Sequence, residues 1–90
     1  MVESPVLKIE IDENGLRELK KLDRQTAQRI MKYLLRLQAQ ENPRELGAAL
    51  HGPWSGYWKY RVGDYRLIAK IEDHLLRIVV IRIGHRSDVY

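Results

Sequence analysis

The sequence predicts an α+β fold in which an N-terminal strand and two helices pack on one face of an antiparallel sheet that three C-terminal strands complete. Two observations carry this prediction. Apolar residues recur at helical spacing in the first half of the 90-residue chain, and they alternate with polar residues in much of the second half. A chain of this length buries one core of modest size. We therefore expect one domain over residues 1–90, without a separate cofactor domain.

The chain begins with a predicted strand and a short helix. Residues 6–11 alternate apolar and charged side chains, which is the period of a half-buried strand. Leucines at every third position from Leu16 to Leu22 indicate a short amphipathic helix. Asp12 and Asn14 are both suited to cap this helix at its N-terminus.

A longer helix is expected next. Asp23 is its predicted N-cap, and the helix is expected to end at Asn42 and Pro43. Its apolar stripe, expected in the core, consists of Ala27, Ile30, Met31, Leu34, Leu35 and Leu37.

The second half of the chain is predicted to form a loop followed by three strands. Five glycine and proline residues mark residues 41–56 as a loop, with one helical turn at 44–50. Short turns at 63–64 and 72–74 then join three strands, expected at 57–62, 65–71 and 75–83. The last strand is apolar at nearly every position, so we expect it in the middle of the sheet.

The predicted hairpin at 63–64 places apolar side chains on one face of the sheet and mostly basic side chains on the other. A two-residue turn places Arg61 opposite Arg66, and alternate residues then share a face. One face is apolar and should lie under the helices, whereas the other carries Tyr57, Lys59, Arg61, Arg66, Ile68 and Lys70. Like charges directly opposite each other destabilise a sheet, so a bound anion would explain them. A solvated face selected for solubility is the alternative explanation.

The amino-acid composition limits which classes of partner and which kinds of catalytic chemistry are expected for this protein. The net charge of +4 favours an anionic partner, either nucleic acid or an acidic protein. The absence of cysteine excludes thiolate catalysis and thiolate metal sites. The three histidines lack ligand spacing, so no metal is expected. The N-terminus lacks a basic segment followed by an apolar one, and no stretch of about 20 apolar residues occurs, so we expect a soluble cytoplasmic protein without a membrane partner.

Two sequence strings resemble the RelE branch of the RelE/ParE toxin superfamily. They are LHGPWSGYWKYRVGDYRLIAKI at 50–71 and IRIGHRSDVY at 81–90. The order of predicted elements is similar over the whole chain. The resemblance implies a small RelE-like fold and an acidic, RelB-like antitoxin as partner. It also implies a toxin that acts without metal or cofactor as an endoribonuclease (mRNA interferase), cleaving messenger RNA in the ribosomal A site and inhibiting translation.

The resemblance also implies site residues. Its catalytic positions correspond to Lys59, Arg66, Arg86 and Tyr90. The expected RNA-binding residues are Tyr57, Arg61, Lys70 and His85. Two features depart from the family pattern: Tyr57 replaces the first lysine of a K-x-K pair, and the segment between Arg86 and Tyr90 is shorter than is typical.

In the implied reaction, the ribose 2′-hydroxyl attacks the adjacent phosphorus and leaves a 2′,3′-cyclic phosphate and a 5′-hydroxyl end. Lys59 is the candidate proton acceptor, because cations close by favour the neutral form of an amine. Arg66 and Arg86 are candidates for binding the phosphate, because a planar guanidinium can pair with two of its oxygens. Tyr90 can stack on a base or orient the hydroxyl. Arginine is a poor proton donor, so His85 is a secondary candidate for that step.

Two other functions stay open at this point. A ParE-type toxin on the same fold inhibits DNA gyrase and cuts nothing, and a basic module could bind nucleic acid without catalysis. The four catalytic matches favour the nuclease, whereas Tyr57 in place of a lysine weakens that case. Trp54, in the loop rich in glycine and proline, fits either the rim of the core or a contact with RNA or antitoxin.

Overall fold

The computed structural model describes residues 7–88, which form two helices and a five-stranded mixed sheet. In chain order the elements are β1 (Lys8–Ile11), α1 (Glu13–Lys20), α2 (Arg24–Gln38), β2 (Ala48–Ala49), β3 (Tyr57–Val62), β4 (Tyr65–Glu72) and β5 (Arg77–His85). Short 3₁₀ turns lie at Pro43–Leu46, Gly52–Trp54 and Asp73–Leu75. The predicted α+β fold is confirmed. Neither helix of this part of the chain is long and apolar enough to cross a membrane.

The strand order is β1-β5-β4-β3-β2, so the last strand is interior, as predicted. β5 pairs antiparallel with β4 but parallel with β1, which makes the sheet mixed rather than wholly antiparallel. Alternation within a strand does not indicate the direction of its neighbour, so the prediction of an antiparallel sheet was wrong for this one pairing. Position 6 of the predicted first strand lies outside the described residues.

The β3–β4 hairpin has the predicted register, with Arg61 opposite Arg66 and Val62 opposite Tyr65. Gly63 has φ 59°, as the first position of a type II′ turn requires. The predicted apolar face is confirmed as the one that packs against the helices. The buried core on that side consists of Ile30, Leu34, Leu37, Tyr60, Val62, Leu67, Ala69, Ile78, Val80 and Ile83.

α1 covers the edge of β5 beyond the point where β1 ends. The pairing with β1 stops at Val80. Past it, Asn14 Nδ2 donates to the Ile81 carbonyl at 2.8 Å, and the Ile83 amide donates to the Glu18 carboxylate at 3.0 Å. Two helical side chains thus give hydrogen-bond partners to backbone groups that β1 leaves unpaired.

α2 begins as predicted but ends earlier. Asp23 caps its N-terminus by accepting from the Thr26 amide at 3.1 Å. The helix stops at Gln38, so the predicted end at Asn42 and Pro43 was wrong. Asn42 instead caps the following 3₁₀ turn, and its side chain accepts from the Arg44 amide at 3.1 Å.

The apolar stripe of α2 is wider than the surface it buries. Met31 is 45% exposed and Leu35 is 66% exposed, so the prediction that the whole stripe is core was wrong. A helix lying on a sheet buries about one side of its circumference. Here that side consists of Ile30, Leu34 and Leu37.

The segment 41–56 contains a strand that the sequence did not predict. Ala48 and Ala49 pair with Lys59 and Trp58 at the edge of the sheet. Two residues are too few to produce a recognisable alternation. The segment contains two 3₁₀ turns, Pro43–Leu46 and Gly52–Trp54, in place of the one helical turn predicted at 44–50.

β5 is shifted toward the C-terminus relative to its predicted span of 75–83. It begins at Arg77 because Leu76 adopts a left-handed conformation, with φ 51°, and cannot continue a strand. The connection from β4 is therefore a 3₁₀ turn at Asp73–Leu75 followed by Leu76, longer than the turn predicted at 72–74. β5 then extends to His85.

Candidate functional site

The sheet face away from the helices carries cations from β3 and β4. Arg61 lies opposite Arg66, and Lys59 lies opposite Ile68, so these side chains share one face, as predicted. Arg61 and Lys70 are exposed, whereas Lys59 and Arg66 are half-buried. A single acidic residue occurs between positions 57 and 71, and it lies in the turn. We call this surface the basic face.

Arg66 is held against the hairpin turn. Its Nη1 donates to the carbonyl oxygens of Gly63 at 3.0 Å and Tyr65 at 2.9 Å. Within residues 7–88, no acidic side chain forms an ion pair with this guanidinium. Backbone acceptors thus orient Arg66 without neutralising its charge, and the donors on its other nitrogens can reach an anion.

Two more arginines approach the same turn. The Arg86 amide donates to the Asp64 carbonyl at 2.8 Å, which places the predicted catalytic Arg86 at the Arg66 end of the sheet. From the helix side, Arg29 lies against the turn, because a Cβ on Gly63 would be 2.8 Å from its Nη2. Nothing in the sequence pattern connected Arg29 with this end of the sheet.

β5 contributes a cation that sequence analysis missed. Arg82 pairs with Ile68, which in turn pairs with Lys59, so Arg82 and Lys59 share the basic face two strands apart. The Arg82 side chain is 32% exposed, and its Nε lies 3.4 Å from Glu18 Oε1. A β-bulge in β5 at Ile81, opposite Ile68 and Ala69 of β4, shifts the register by one residue. Alternation alone does not reveal such a bulge.

An apolar cluster occupies the middle of the basic face. Leu50 and Ile68 are buried there, with Trp54, Tyr57 and Ile81 packed around them. The ring centroids of Trp54 and Tyr57 are 5.6 Å apart, and the rings are nearly perpendicular at 77°. Tyr57, predicted to bind RNA, is therefore a half-buried member of this cluster, and Lys70 lies opposite it in β4.

A cleft opens between the apolar cluster and β2. Its volume is about 310 Å³, and it is lined by Ala48, Ala49, Leu50, His51, Trp54 and Lys59. Lys59 therefore belongs both to the basic face and to the wall of this cleft. We call it the Trp54 cleft.

The side chain of His85 does not lie on the basic face. It pairs with Tyr65, which packs against the core on the helix side, and the two rings meet edge to face with centroids 5.7 Å apart. Its Nδ1 is 2.8 Å from Ser87 Oγ. The structure thus places His85 on the face opposite Lys59. Tyr90 lies outside the described residues.

A roomier cleft of about 510 Å³ lies between the end of α2 and the β4–β5 connection. Arg44, in its wall, donates to both carboxylate oxygens of Asp73, at 2.9 and 2.7 Å. This guanidinium holds the pKa of Asp73 below its ordinary value. Because the two charges neutralise each other, we place the candidate site on the basic face instead. Among residues 7–88, no group of three or more histidine, aspartate or glutamate side chains could hold a metal ion.

Sequence comparison finds relatives among bacterial toxins. Residues 9–90 match the family model of the ParE toxin of the type II toxin-antitoxin system, parDE. A 48-residue segment is 35% identical to Toxin RelG of Mycobacterium tuberculosis (strain ATCC 25618 / H37Rv), covering 53% of this chain. The match spans about half the length of this curated relative, 55%.

Solved structures share the fold along most of the chain. A chain of the toxin-antitoxin complex RelBE2 from Mycobacterium tuberculosis has a TM-score of 0.83 at 24% identity, covering 96% of this chain and 98% of that one. A mutant of Escherichia coli toxin RelE in the free state has a TM-score of 0.72 at 25% identity, with 92% and 86% covered. The archaeal RelE-RelB complex from Pyrococcus horikoshii OT3 contains a chain with a TM-score of 0.71 at 19% identity, with 94% and 100% covered. These structures share the fold of the chain, and the family match over residues 9–90 shows that it belongs to the ParE toxin family of type II toxin–antitoxin systems, within the RelE/ParE superfamily.

Proposed function

We propose that this toxin is a metal-independent endoribonuclease that cleaves messenger RNA in the ribosomal A site and so inhibits translation. The basic face is the observation that carries the proposal. Its cations come from three neighbouring strands, and between positions 57 and 71 only the turn carries an acidic residue. Clustered cations of this kind fit the phosphate backbone of a nucleic acid. The likeness to toxins named RelG and RelE supports the same activity.

Lys59 is our candidate for the group that takes the proton from the 2′-hydroxyl. Arginine keeps its proton at all relevant pH values, whereas an amine can exist as a neutral base. Of the two lysines on the basic face, Lys59 is half-buried and central, while Lys70 is exposed. The central lysine is better placed to meet a phosphodiester lying across the strands.

Arg66 and Arg86 are our candidates for stabilising the charge that develops on the phosphorane. Both lie at the hairpin end of the sheet, and the planar guanidinium can pair with two phosphate oxygens at once. The positive field of these groups also favours departure of the 5′ oxygen, which takes a proton from water to give the 5′-hydroxyl end. We do not assign that step to His85, because its ring lies on the helix side. Tyr90 remains a proposed stacking residue on the sequence resemblance alone.

Arg82 is expected to contribute to binding of the phosphate backbone, with Glu18 positioning it. Arg82→Ala should lower the single-turnover cleavage rate about tenfold, the effect expected for one charged hydrogen bond. Glu18→Gln should keep the acceptor for the Ile83 amide but remove the charge beside Arg82, and so reduce cleavage less. Cleavage of messenger RNA on programmed ribosomes measures both effects.

Arg77 provides the matched control on the same strand. It lies at the far end of β5, where Glu72 and Glu10 pair with it at 2.8 and 3.4 Å. Arg77→Ala should leave the cleavage rate unchanged once a thermal melt has confirmed that the variant is folded. Equal losses for Arg77→Ala and Arg82→Ala would contradict a specific role for Arg82.

We also propose that an acidic antitoxin binds the helix side of the toxin. Met31 and Leu35 are exposed on α2 and line a shallow cleft of about 570 Å³, together with Arg24 and Lys32. Exposed apolar side chains bordered by cations fit an amphipathic acidic helix. The solved RelBE2 and RelE-RelB complexes of relatives support such a partner.

Leu35→Glu is expected to weaken antitoxin binding by about thirtyfold or more, because it places a like charge at the centre of an apolar contact. The dissociation constant with the product of the neighbouring gene measures this effect. Leu75→Glu is the control, since Leu75 is also largely exposed, at 49%, but lies in the β4–β5 connection. Unchanged affinity for Leu35→Glu would remove α2 from the antitoxin interface.

A second candidate function is inhibition of DNA gyrase without cleavage of RNA. The match to the ParE family model and the replacement of a lysine by Tyr57 favour it. RNA from cells that make the toxin distinguishes the two functions. We expect new 5′-hydroxyl and 2′,3′-cyclic phosphate ends within coding sequences, while supercoiling by purified gyrase stays unaffected. Inhibited gyrase together with intact messenger RNA would favour the second candidate.

A further inference from the structure

We propose that the Trp54 cleft is a subsite for one nucleobase beside the cleaved phosphate. The inference rests on the proposed function and adds a specificity-determining contact to it. It depends on three properties of the cleft: an aromatic wall, a cation shared with the basic face, and a size suited to one flat ring.

The aromatic wall is Trp54, which is half-buried and held in place by its neighbour. Its indole meets the Tyr57 ring edge to face, at 5.6 Å and 77°, and both pack on the buried Leu50 and Ile68. A fixed aromatic ring offers a stacking surface at little further entropic cost. Unpaired bases of single-stranded RNA stack on such rings.

The opposite wall is low and apolar. β2 contributes only Ala48 and Ala49 there, both small and exposed, so the cleft stays open at the edge of the sheet. Its volume of about 310 Å³ is at the lower end of the range of roughly 300 to 1,000 Å³ that ligand clefts occupy. One planar base fits this space better than a larger ligand does.

Continuity with the basic face favours a nucleotide over an apolar peptide side chain. Lys59 lines the cleft and also lies among the cations of the sheet, because its partner in β2 is Ala48. His51 is exposed at the rim, where its ring nitrogens can bond to a base edge. A nucleotide bound here has its base against Trp54 and its phosphate toward the cations. The stacked base then lies next to the scissile bond, with His51 near its edge.

The test compares Trp54 variants in single-turnover cleavage on programmed ribosomes. Trp54→Ala should lower the cleavage rate about tenfold to a hundredfold, the range expected for one lost stacking contact. Trp54→Phe keeps an aromatic wall and should lose less than about threefold. Leu75→Ala, a change at an exposed position of the β4–β5 connection, is the control and should cleave like wild type. Equal rates for wild type and Trp54→Ala would overturn the inference.

A messenger with a single abasic nucleotide next to the cleavage position identifies the occupant. Its cleavage by wild type should fall by the same factor as Trp54→Ala causes, and the two changes together should cost no more than either alone. If the abasic nucleotide and Trp54→Ala act independently, so that their losses in rate multiply when the two are combined, the inference is overturned. If Trp54→Ala weakens antitoxin binding but not cleavage, the cleft takes a protein side chain, and the inference is equally overturned.

A direct binding measurement separates this inference from the proposed function. In a Trp58→Phe variant, Trp54 is the remaining tryptophan of the chain. Stacking of a short single-stranded RNA should quench its fluorescence, whereas an abasic oligonucleotide of the same length should not. Quenching without any cleavage on ribosomes would contradict the nuclease and leave the subsite standing. Cleavage without quenching, and without an effect of Trp54→Ala, would contradict the subsite and leave the proposed nuclease activity standing.

Discussion

Replacing Arg66 or Arg86 by alanine is expected to lower the rate of RNA cleavage about a hundredfold to a thousandfold, the cost of removing one pre-organised donor from a developing anion. Both residues approach the hairpin turn, one through its guanidinium and the other through its backbone amide. Neither belongs to the buried core, so the fold should persist. Single-turnover cleavage and growth arrest measure the loss, and circular dichroism checks the fold.

Two further variants sharpen this prediction. Arg66→Lys keeps the charge but loses the planar fork, so its rate should fall between those of wild type and Arg66→Ala. Arg36→Ala removes the same charge from the exposed side of α2 and should leave cleavage unchanged. Undiminished growth arrest by both Arg66→Ala and Arg86→Ala would remove the proposed phosphate contact.

The largest expected effect on stability comes from Tyr60→Ala. This β3 side chain is fully buried in the core between the sheet and the helices, and its hydroxyl donates to the Pro43 carbonyl at 3.0 Å. Loss of a large aromatic side chain from a core should lower the free energy of unfolding by about 3 to 5 kcal/mol. Tyr60→Phe keeps the ring and should cost about 1 to 3 kcal/mol, because the carbonyl loses its donor. Urea denaturation measures both values.

The pH dependence of unfolding checks the buried state of this hydroxyl. Burial, aided by the nearby Tyr33, raises the pKa of Tyr60 to about 12. In the unfolded chain a tyrosine titrates near its ordinary value of about 10. The folded state thus holds its proton longer, so this contribution is complete below pH 10 and is lost as the pH rises toward about 12. In Tyr60→Phe, the free energy of unfolding should not show this part of the decrease with rising pH. An identical decrease in both proteins would contradict a buried, protonated Tyr60.

Period-two alternation and a two-residue turn were sufficient to predict the β3–β4 hairpin from the sequence. Because Gly63 and Asp64 permit one register, Lys59, Arg61 and Arg66 had to share a face. The fold class followed from the same alternation together with the helical spacing upstream. These features depend on neighbouring residues along the chain, and local patterns describe them well.

The bulge in β5 explains why the sequence pattern did not predict which faces of the sheet carry Arg82 and His85. Alternation continued from Ile78 and Val80 would put Arg82 under the helices and His85 on the basic face. The one-residue shift reverses both assignments. The approach of Arg29 to the turn and the formation of the Trp54 cleft depend on packing between distant segments, which no local pattern encodes.

The most direct test of the proposed nuclease activity is to remove the attacking 2′-hydroxyl from the RNA. A ribosome complex is programmed with a messenger that carries a single 2′-deoxy nucleotide on the 5′ side of the cleaved bond, and it is compared with the all-ribose messenger. We predict cleavage of the ribose messenger to a 2′,3′-cyclic phosphate and a 5′-hydroxyl, and no cleavage at the deoxy position. Cleavage of the deoxy messenger at that bond, or an intact ribose messenger under the same conditions, would contradict the mechanism.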